Sequence, residues 1–182
     1  LLTPDKQILT YIQSLFRVVR PDNIMDAMTV RTNRLVGGLV GIANQTGSLI
    51  SGCSADVDVV QEGQGFAGGL IGMSAADIDN CYSTGDVIGN NDMIGGLIGQ
   101  ATFAGDATVA ITNSYATGNV VGEEYTGGLA GYTALPVSNC YAIGNISGTN
   151  VSGGLLGSAT NDVTHSYSFG TVEITGTMAG GL

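Results

Sequence analysis

The chain has 182 residues, 43% of them hydrophobic, and a mean hydropathy of +0.28, which fits one folded domain and excludes a disordered chain. All five Lys and Arg residues fall in the first 34 positions against three acidic residues, a net charge of +2, whereas the remainder carries twelve acidic residues and a net charge of −12. A body this acidic repels phosphate backbones and anionic lipid, which argues against nucleic-acid binding, and no apolar run approaches the about 18 residues of a membrane span.

Residues 1–34 differ from the rest of the chain, and we expect them to form a divergent N-terminal cap. Apolar residues have helical spacing from Pro4 to Phe16, whereas the stretch from Ile24 to Val30 has the pattern of a worn repeat. A stack of strands needs such a cap against edge-to-edge aggregation. Because the chain has neither an initiator Met nor a basic-then-apolar leader, we also expect it to be a mature or excised piece of something larger.

From residue 35 onward a pentad of the type Gly37-Gly-Leu-Val-Gly41 recurs at intervals of 31, 27, 32, 26 and 27 residues. A period of this length is typical of solenoids and propellers. Alternation within the pentad predicts a strand that is buried on both sides, with its leucines stacked from repeat to repeat. Recurrent glycine implies either a close approach of other atoms or a positive φ. The leucines of the predicted ladder are Leu39, Leu70, Leu97, Leu129, Leu155 and Leu182.

A second motif follows each pentad and reads Ile78-Asp-Asn-Cys-Tyr-Ser83 in the second repeat. Its distance from the pentad varies, which predicts loop insertions after Gly41 and Gly99. Period-two alternation places the Cys, the Ser and the following Gly85 and Val87 inside, and it places Tyr, Thr and Asp in solvent. Repetition then aligns four tyrosines along the outer face. This tyrosine row consists of Tyr82, Tyr115, Tyr141 and Tyr167.

The two motifs together predict an all-β fold, a β-solenoid of about five to six coils over residues 35–182. Each repeat is expected to form one coil, with equivalent residues about 4.8 Å apart in neighbouring coils. We expect right-handed winding of the parallel β-helix type, with residues 1–34 as the cap. The same alternation also allows a stack of antiparallel hairpins, so that this alternative stays open.

The three cysteines lie at one position of the second motif. Cys53 and Cys81 belong to consecutive repeats, so their Cα atoms are expected to lie about 4.8 Å apart, within the range of a disulfide. We favour inward thiols packed as small apolar groups. Cys140 has Ser114 and Ser166 at the neighbouring positions and is expected to be unpaired.

A Gly-Gly-Leu-x-Gly pentad followed by Ile-x-Asn-Cys-Tyr-Ala-x-Gly-x-Val resembles the GLUG repeat, named for Gly-Leu-apolar-Gly. This repeat occurs in bacterial surface adhesins and in accessory regions of secreted IgA-specific metalloproteases. The resemblance extends from about Val36 to Leu182 in five near-complete copies, and it departs from the pattern at Gly52 and His165, where the repeat has Asn, and at Val57, where it has Gly. It implies an extracellular or cell-surface location and a structural or adhesive role without catalytic residues.

The sequence contains no complete phosphate-binding, calcium-binding or catalytic motif. No Lys follows any pentad, so the pentads are not phosphate loops, and the Gly-Gly-x-Gly-x-Asp calcium repeat is absent. The single histidine, His165, takes the turn position of the asparagines, where we expect a side-chain hydrogen bond to the backbone. Asp56 with Asp58 and Asp77 with Asp79 are expected to be solvated acids or adventitious Ca²⁺ sites. We therefore expect no cofactor and no enzymatic activity, with a glycosidase-like carboxylate pair as the alternative.

Two classes of function stay open: a spacer or adhesive module within a larger surface protein, and a subunit of an extracellular filament joined head to tail. The filament follows from the opposite charges of the two ends. A carbohydrate-binding or carbohydrate-cleaving solenoid is a further alternative. The tyrosine row predicts either a ladder that stabilises its own sheet or a face for glycans or a neighbouring chain. The basic residues expected at a subunit junction are Arg17, Arg20, Arg31 and Arg34.

Overall fold

A computed structural model describes residues 29–32, 35–44, 48–102 and 109–182, and for residues 29–32 it describes the backbone alone. Within these ranges no residue is helical, and the strands are two to four residues long. Every strand pair is parallel, and the strands that pair lie one repeat apart in sequence. The chain is therefore a β-solenoid of five complete coils, and the antiparallel-hairpin alternative is wrong.

Each complete coil contributes five short strands. The strand β1 (Thr29–Thr32) precedes the first coil, which contains β2 (Val36–Gly37), β3 (Val40–Ala43), β4 (Leu49–Ser51), β5 (Ser54–Ala55) and β6 (Asp58–Gln61). The second coil contains β7 (Ala67–Gly68), β8 (Ile71–Ser74), β9 (Asp77–Asp79), β10 (Tyr82–Ser83) and β11 (Val87–Gly89). The third contains β12 (Ile94–Gly95), β13 (Ile98–Ala101), β14 (Ile111–Thr112), β15 (Tyr115–Ala116) and β16 (Val120–Val121). The fourth contains β17 (Thr126–Gly127), β18 (Ala130–Thr133), β19 (Val137–Ser138), β20 (Tyr141–Ala142) and β21 (Ile146–Gly148). The fifth contains β22 (Val151–Gly153), β23 (Leu156–Ala159), β24 (Val163–Thr164), β25 (Tyr167–Ser168) and β26 (Val172–Ile174), and β27 (Met178–Gly180) follows it.

Stacking of the coils forms five parallel sheets, numbered here in the order in which a coil meets them. Sheet 1 has the order β2-β7-β12-β17-β22-β27, sheet 2 β3-β8-β13-β18-β23 and sheet 3 β4-β9-β14-β19-β24. Sheet 4 has the order β5-β10-β15-β20-β25 and sheet 5 β1-β6-β11-β16-β21-β26. Strand β1 pairs with β6 and so extends sheet 5 by one strand.

Part of the predicted organisation lies outside the described residues. These are the helical spacing from Pro4 to Phe16 and the loop positions 45–47 and 103–108, which fall where we expect the insertions. The assignment of residues 1–34 as a divergent cap and the right-handed winding stay predictions.

The glycine pentad is a corner between sheets 1 and 2, and the expectation of one continuous strand is wrong. In the second coil β7 ends at Gly68 and β8 begins at Ile71. The backbone N–H groups of Leu70 and Ile71 both donate to one oxygen, that of Leu97 in the next coil, at 2.9 and 3.0 Å. Because the chain bends at this point, both side chains turn inward, and both are fully buried.

Close approach of neighbouring backbone explains the glycines of this corner. A Cβ atom on Gly68 would overlap the carbonyl oxygen of Ile71, and one on Gly69 would overlap that of Gly96 in the next coil. Neither glycine has a positive φ. Of the two explanations that the sequence left open, crowding is therefore the one that holds here.

The leucine ladder is confirmed as the centre of the core. Leu70, Leu97, Leu129 and Leu155 are fully buried. At the two ends of the ladder Leu39 is partly buried, and Leu182 is 58% exposed. A second, smaller cluster packs where sheet 5 meets sheet 1, and its members are Val36, Val59, Ala67, Val87, Ile94, Val120 and Ile146.

Candidate interaction face

The tyrosine row is an outward-facing stack on sheet 4. Register pairs Tyr82 with Tyr115, Tyr115 with Tyr141, and Tyr141 with Tyr167. Successive ring centroids are 4.9, 4.7 and 5.4 Å apart, and the rings are within 7° of parallel. The row predicted from the sequence is therefore confirmed as a ladder of stacked rings along the solenoid axis.

Stacking decides which part of each ring a partner can reach. Both faces of Tyr115 and Tyr141 are covered by neighbouring rings, so these two side chains offer their edges and hydroxyl groups. Among the described residues one face of Tyr82 has no ring against it, since Ser54 is its partner in the first coil. Desolvation in the stack raises the pKa of Tyr141, and the phenols of Tyr115 and Tyr167 add to this rise. Face-to-face stacking of a sugar is thus blocked at Tyr115 and Tyr141 and open at Tyr82.

A left-handed residue precedes the row in every coil. Asn80, Asn113, Asn139 and His165 have φ between 50° and 54°, and Gly52 has φ of 63°. Asparagine and glycine are the residues that adopt this conformation most readily, which explains why they recur at the turn. The amide of Asn113 donates to Asp79 Oδ1 of the preceding coil at 2.7 Å, so at this position a side chain can bond another side chain. The hydrogen bond from the His165 side chain to the backbone stays a prediction.

The Cys or Ser that follows this turn points inward and caps it. Cys81 Sγ lies 3.3 Å from the carbonyl oxygen of Asp79, two residues earlier, and Ser114 Oγ donates to that of Thr112 at 2.6 Å. The Ser114 hydroxyl also accepts the N–H of Cys81 at 3.0 Å and so links two coils. Thiol and hydroxyl therefore both bond the carbonyl oxygen two residues earlier, which explains why either Cys or Ser occupies this position.

A ladder of Asp and Asn side chains flanks the tyrosine row on the outer surface. Asp86 N–H donates to Asp58 Oδ1 at 2.9 Å, and Asn119 N–H donates to Asp86 Oδ1 at 2.7 Å. The pattern continues as Asn145 N–H donates to Asn119 Oδ1 at 3.0 Å. Each side chain thus accepts a backbone N–H of the following coil. The recurrence of Asp or Asn directly before the buried Val or Ile was the signal in the sequence, where alternation alone places these residues in solvent.

The acidic pairs considered as cation sites are engaged in the same kind of bond. Asp56 accepts the hydroxyl of Thr84, and Asp77 Oδ1 accepts the N–H of Ala110 at 2.8 Å. Hydrogen bonds from Asn113 and then Thr112 hold the pKa of Asp79 below its usual value. Among the described residues no group of three or more His, Cys, Asp or Glu is arranged to hold a metal ion.

Removal of the Asn113 amide is expected to raise the pKa of Asp79. Because that pKa is lowered in the folded chain, the Asp79 carboxylate stabilises the fold above its ordinary pKa of 3.8, and this contribution is lost as the pH falls through the folded value. An Asn113→Gly variant keeps a residue that favours positive φ, and an NMR titration of the Asp79 carboxyl group measures the change. Asn139→Gly is the control, because the amide of Asn139 donates to Asn113 and not to Asp79. Equal Asp79 titration curves for the Asn113→Gly variant and the wild type would contradict this assignment.

The remaining candidate residues are placed apart from this face or outside the described residues. Arg31 lies in β1 of sheet 5. Arg17, Arg20 and Arg34 lie outside the described residues, so a basic junction between subunits stays a prediction. His165 is exposed at the left-handed turn of the fifth coil.

Parallel coils joined by Gly-Gly-Leu corners place this chain in the class of β-solenoid repeat proteins. The family model described as "The GLUG motif" matches residues 32–60 and 65–88, so this part of the chain carries the GLUG motif that the resemblance predicts. It is 41% identical over 90 residues to halomucin of Haloquadratum walsbyi, an alignment that covers 47% of this chain and 1% of that protein. No solved structure matches the chain significantly. No helix of the described residues is long and apolar enough to cross a membrane.

Proposed function

We propose that the chain is a structural or adhesive repeat module, without catalysis, of a larger extracellular cell-surface protein. The observation that carries this proposal is the continuity of the stack along its axis. Every complete coil is bonded to its neighbours through five parallel sheets, and the tyrosine row and the Asp and Asn ladder add side-chain contacts between coils. A solenoid of this kind becomes longer by adding repeats at its ends. The alignment covers only 1% of halomucin, so that relative is far longer than this chain.

The engagement of the acidic side chains supports a role without catalysis. A glycosidase needs one carboxylate as an acid or base and another as a nucleophile or base, both free to meet the sugar. Asp56, Asp58, Asp77 and Asp79 each accept a hydrogen bond from the following coil. These carboxylates stabilise the stack of coils, and a catalytic role would require their hydrogen bonds to break.

The tyrosine row is the surface that we assign to adhesion. Phe169 and Ile143 lie two residues beyond Tyr167 and Tyr141, and they are 78% and 46% exposed. In the later coils this face therefore combines aromatic, apolar and amide groups, which suits an uncharged glycan or protein surface better than a charged one.

The purified chain is expected to remain a monomer at every concentration, because the side-by-side approach of two bodies of net charge −12 is repulsive. Size-exclusion chromatography with light scattering measures the mass, and negative-stain microscopy detects fibres. Fibres whose amount grows with protein concentration would contradict the monomeric module and favour the head-to-tail filament.

The adhesive and non-catalytic parts of the proposal are tested on the same monomer with a panel of neutral polysaccharides. Retention on an immobilised polysaccharide should weaken in Tyr82→Ser, which removes the ring that has an open face, and stay unchanged in Tyr132→Ser, since Tyr132 lies in β18 of sheet 2. Equal loss in both variants would show that the row is not the contact surface. Release of reducing sugar by the wild type would contradict the absence of catalysis.

A further inference from the structure

Cys53 and Cys81 occupy the same position in the first and second coils. Strand β4 pairs with β9 and strand β5 with β10, and one Gly-Cys or Asn-Cys pair lies between the strands in each coil. Tyr82 N–H donates to the carbonyl oxygen of Cys53 at 3.0 Å, which fixes the alignment on one side. Gly52 N–H donates to the carbonyl oxygen of Asp79 at 3.1 Å, which fixes the alignment on the other side. The two thiols therefore stand directly above one another on the inner side of the chain.

We propose that Cys53 and Cys81 are a site of disulfide formation, in which a small-molecule disulfide such as oxidised glutathione couples the two thiols and clamps the first coil to the second. Residues in register on neighbouring parallel strands have Cα atoms about 4.8 Å apart, and disulfides join Cα atoms about 4.4–6.8 Å apart. Both cysteines are free thiols in the structure, and Cys81 Sγ lies 3.4 Å from the carbonyl oxygen of Ile50 in the coil that holds Cys53. The coupling thus needs rotation of two side chains and no passage through backbone.

Exposure gives the two thiols different roles in the exchange. Cys53 is partly buried and directly precedes β5, the edge strand of sheet 4 among the described residues, so its sulfur is the one that an oxidant reaches. Cys81 is fully buried, and burial raises the pKa of its thiol, with the Cys53 thiol and Asp79 beside it adding to the rise. The first attack on a soluble disulfide is therefore assigned to Cys53, and the second, resolving attack to Cys81.

The exchange is balanced in atoms and electrons. The Cys53 thiolate attacks one sulfur of oxidised glutathione, and one glutathione leaves as a thiolate that takes up a proton. The Cys81 thiolate then attacks the Cys53 sulfur of the mixed disulfide, and the second glutathione leaves in the same way. The protein loses two protons and two electrons, and one molecule of oxidised glutathione is reduced to two of glutathione. Because Cys81 must be deprotonated, the second step should accelerate as the pH rises.

Cys140 provides a control within the same chain. Its backbone N–H donates to Ser166 Oγ at 3.1 Å, and its thiol lies against the carbonyl oxygen of Ile111 in the coil of Ser114. The equivalent residues in the neighbouring coils are thus hydroxyls, which cannot form a disulfide. Burial raises the pKa of the Cys140 thiol to about 11, so it should also react slowly with soluble oxidants.

The test is to incubate the folded, reduced chain with oxidised glutathione and to map its peptides under non-reducing conditions. A Cys53–Cys81 linked peptide and one remaining thiol, at Cys140, are expected. The linked form should melt about 5–10 °C higher than the reduced form, because the bond closes a loop of about one coil. Cys53→Ser and Cys81→Ser should abolish the link and the shift, while Cys140→Ser should keep both. Serine fits at this position, as Ser114 and Ser166 already occupy it.

Three results would overturn the proposal. The first is a stable mixed disulfide with glutathione at Cys53 that Cys81 does not resolve at any pH at which the chain is folded. The second is a Cys53–Cys81 link that forms only in denaturant. The third is a linked form whose melting temperature equals that of the reduced chain, since the bond would then clamp nothing.

Discussion

Replacement of Leu97 by alanine is expected to lower the free energy of unfolding by about 2–5 kcal/mol. Leu97 is fully buried at the middle rung of the leucine ladder, between Leu70 and Leu129 of the neighbouring coils. Truncation removes its apolar surface from the core and leaves a cavity that the rigid stack of coils cannot close. Denaturant unfolding followed by circular dichroism measures the loss.

Leu182→Ala is the matched control for this change. Leu182 holds the same position of the pentad, but it is 58% exposed, so its truncation should alter the unfolding free energy by less than about 1 kcal/mol. A loss below about 1 kcal/mol for Leu97→Ala as well would mean that the pentad leucines do not carry the core.

Replacement of Gly96 by alanine is expected to destabilise the chain by about 3 kcal/mol or more. The added Cβ would overlap the carbonyl oxygen of Gly128 in the next coil and lie 2.9 Å from the Cβ of Ala116. The first obstacle is backbone, which cannot rotate away as a side chain does. The neighbouring coils must therefore separate, and the hydrogen bond from Gly96 N–H to the Gly127 carbonyl oxygen, at 3.1 Å, is strained with them.

Gly181→Ala isolates this crowding from the general cost of replacing a glycine. Gly181 holds the same position of the pentad as Gly96, and a Cβ built on it has no atom within 4 Å. Its melting temperature should match that of the wild type, whereas Gly96→Ala should melt well below it. Equal melting temperatures for Gly96→Ala and Gly181→Ala would show that the third and fourth coils are not as closely packed as in the structure.

Leu97→Ala and Gly96→Ala replace adjacent residues but destabilise the chain for different physical reasons. Leu97→Ala leaves a void inside one coil, and Gly96→Ala forces two coils apart. In a solenoid each coil contacts only its neighbours, so a weakened interface in the middle divides the stack into two parts. Gly96→Ala should therefore also broaden the unfolding transition, and Leu97→Ala should shift it with less broadening.

The register of the coils could be predicted from the sequence because it depends on spacing and alternation. Tyr82 and Tyr115 are 33 residues apart, and Tyr115 and Tyr141 are 26 apart, yet both pairs align. Additional residues fall in the loops and leave the two motifs in place. Which side chains of the second motif face inward was also predictable, since in extended backbone successive side chains point to opposite sides whatever lies beside them.

The corner at the pentad was decided only by the tertiary structure. The residues Gly68 to Gly72 have an alternation that a straight strand would also satisfy, and this alternation therefore predicts one. The chain bends because a single oxygen, that of Leu97 in the next coil, accepts two successive N–H groups. Such a contact joins residues 27 positions apart, and no local pattern specifies it.

The side-chain ladders on the outer surface were likewise decided only by the tertiary structure. The solvent-facing position of Asp86 follows from alternation, but its bond to the N–H of Asn119 requires the next coil to lie one strand spacing away. Asn113 at φ of 51° and the near-parallel rings of Tyr115 and Tyr141 likewise depend on the stacked neighbour. The sequence by itself thus determined which residues share a position and a side of the chain. The bends of the chain and the contacts between coils were decided only by the tertiary structure. Each of these features needs a partner residue from the neighbouring coil, which is close in space but distant in sequence.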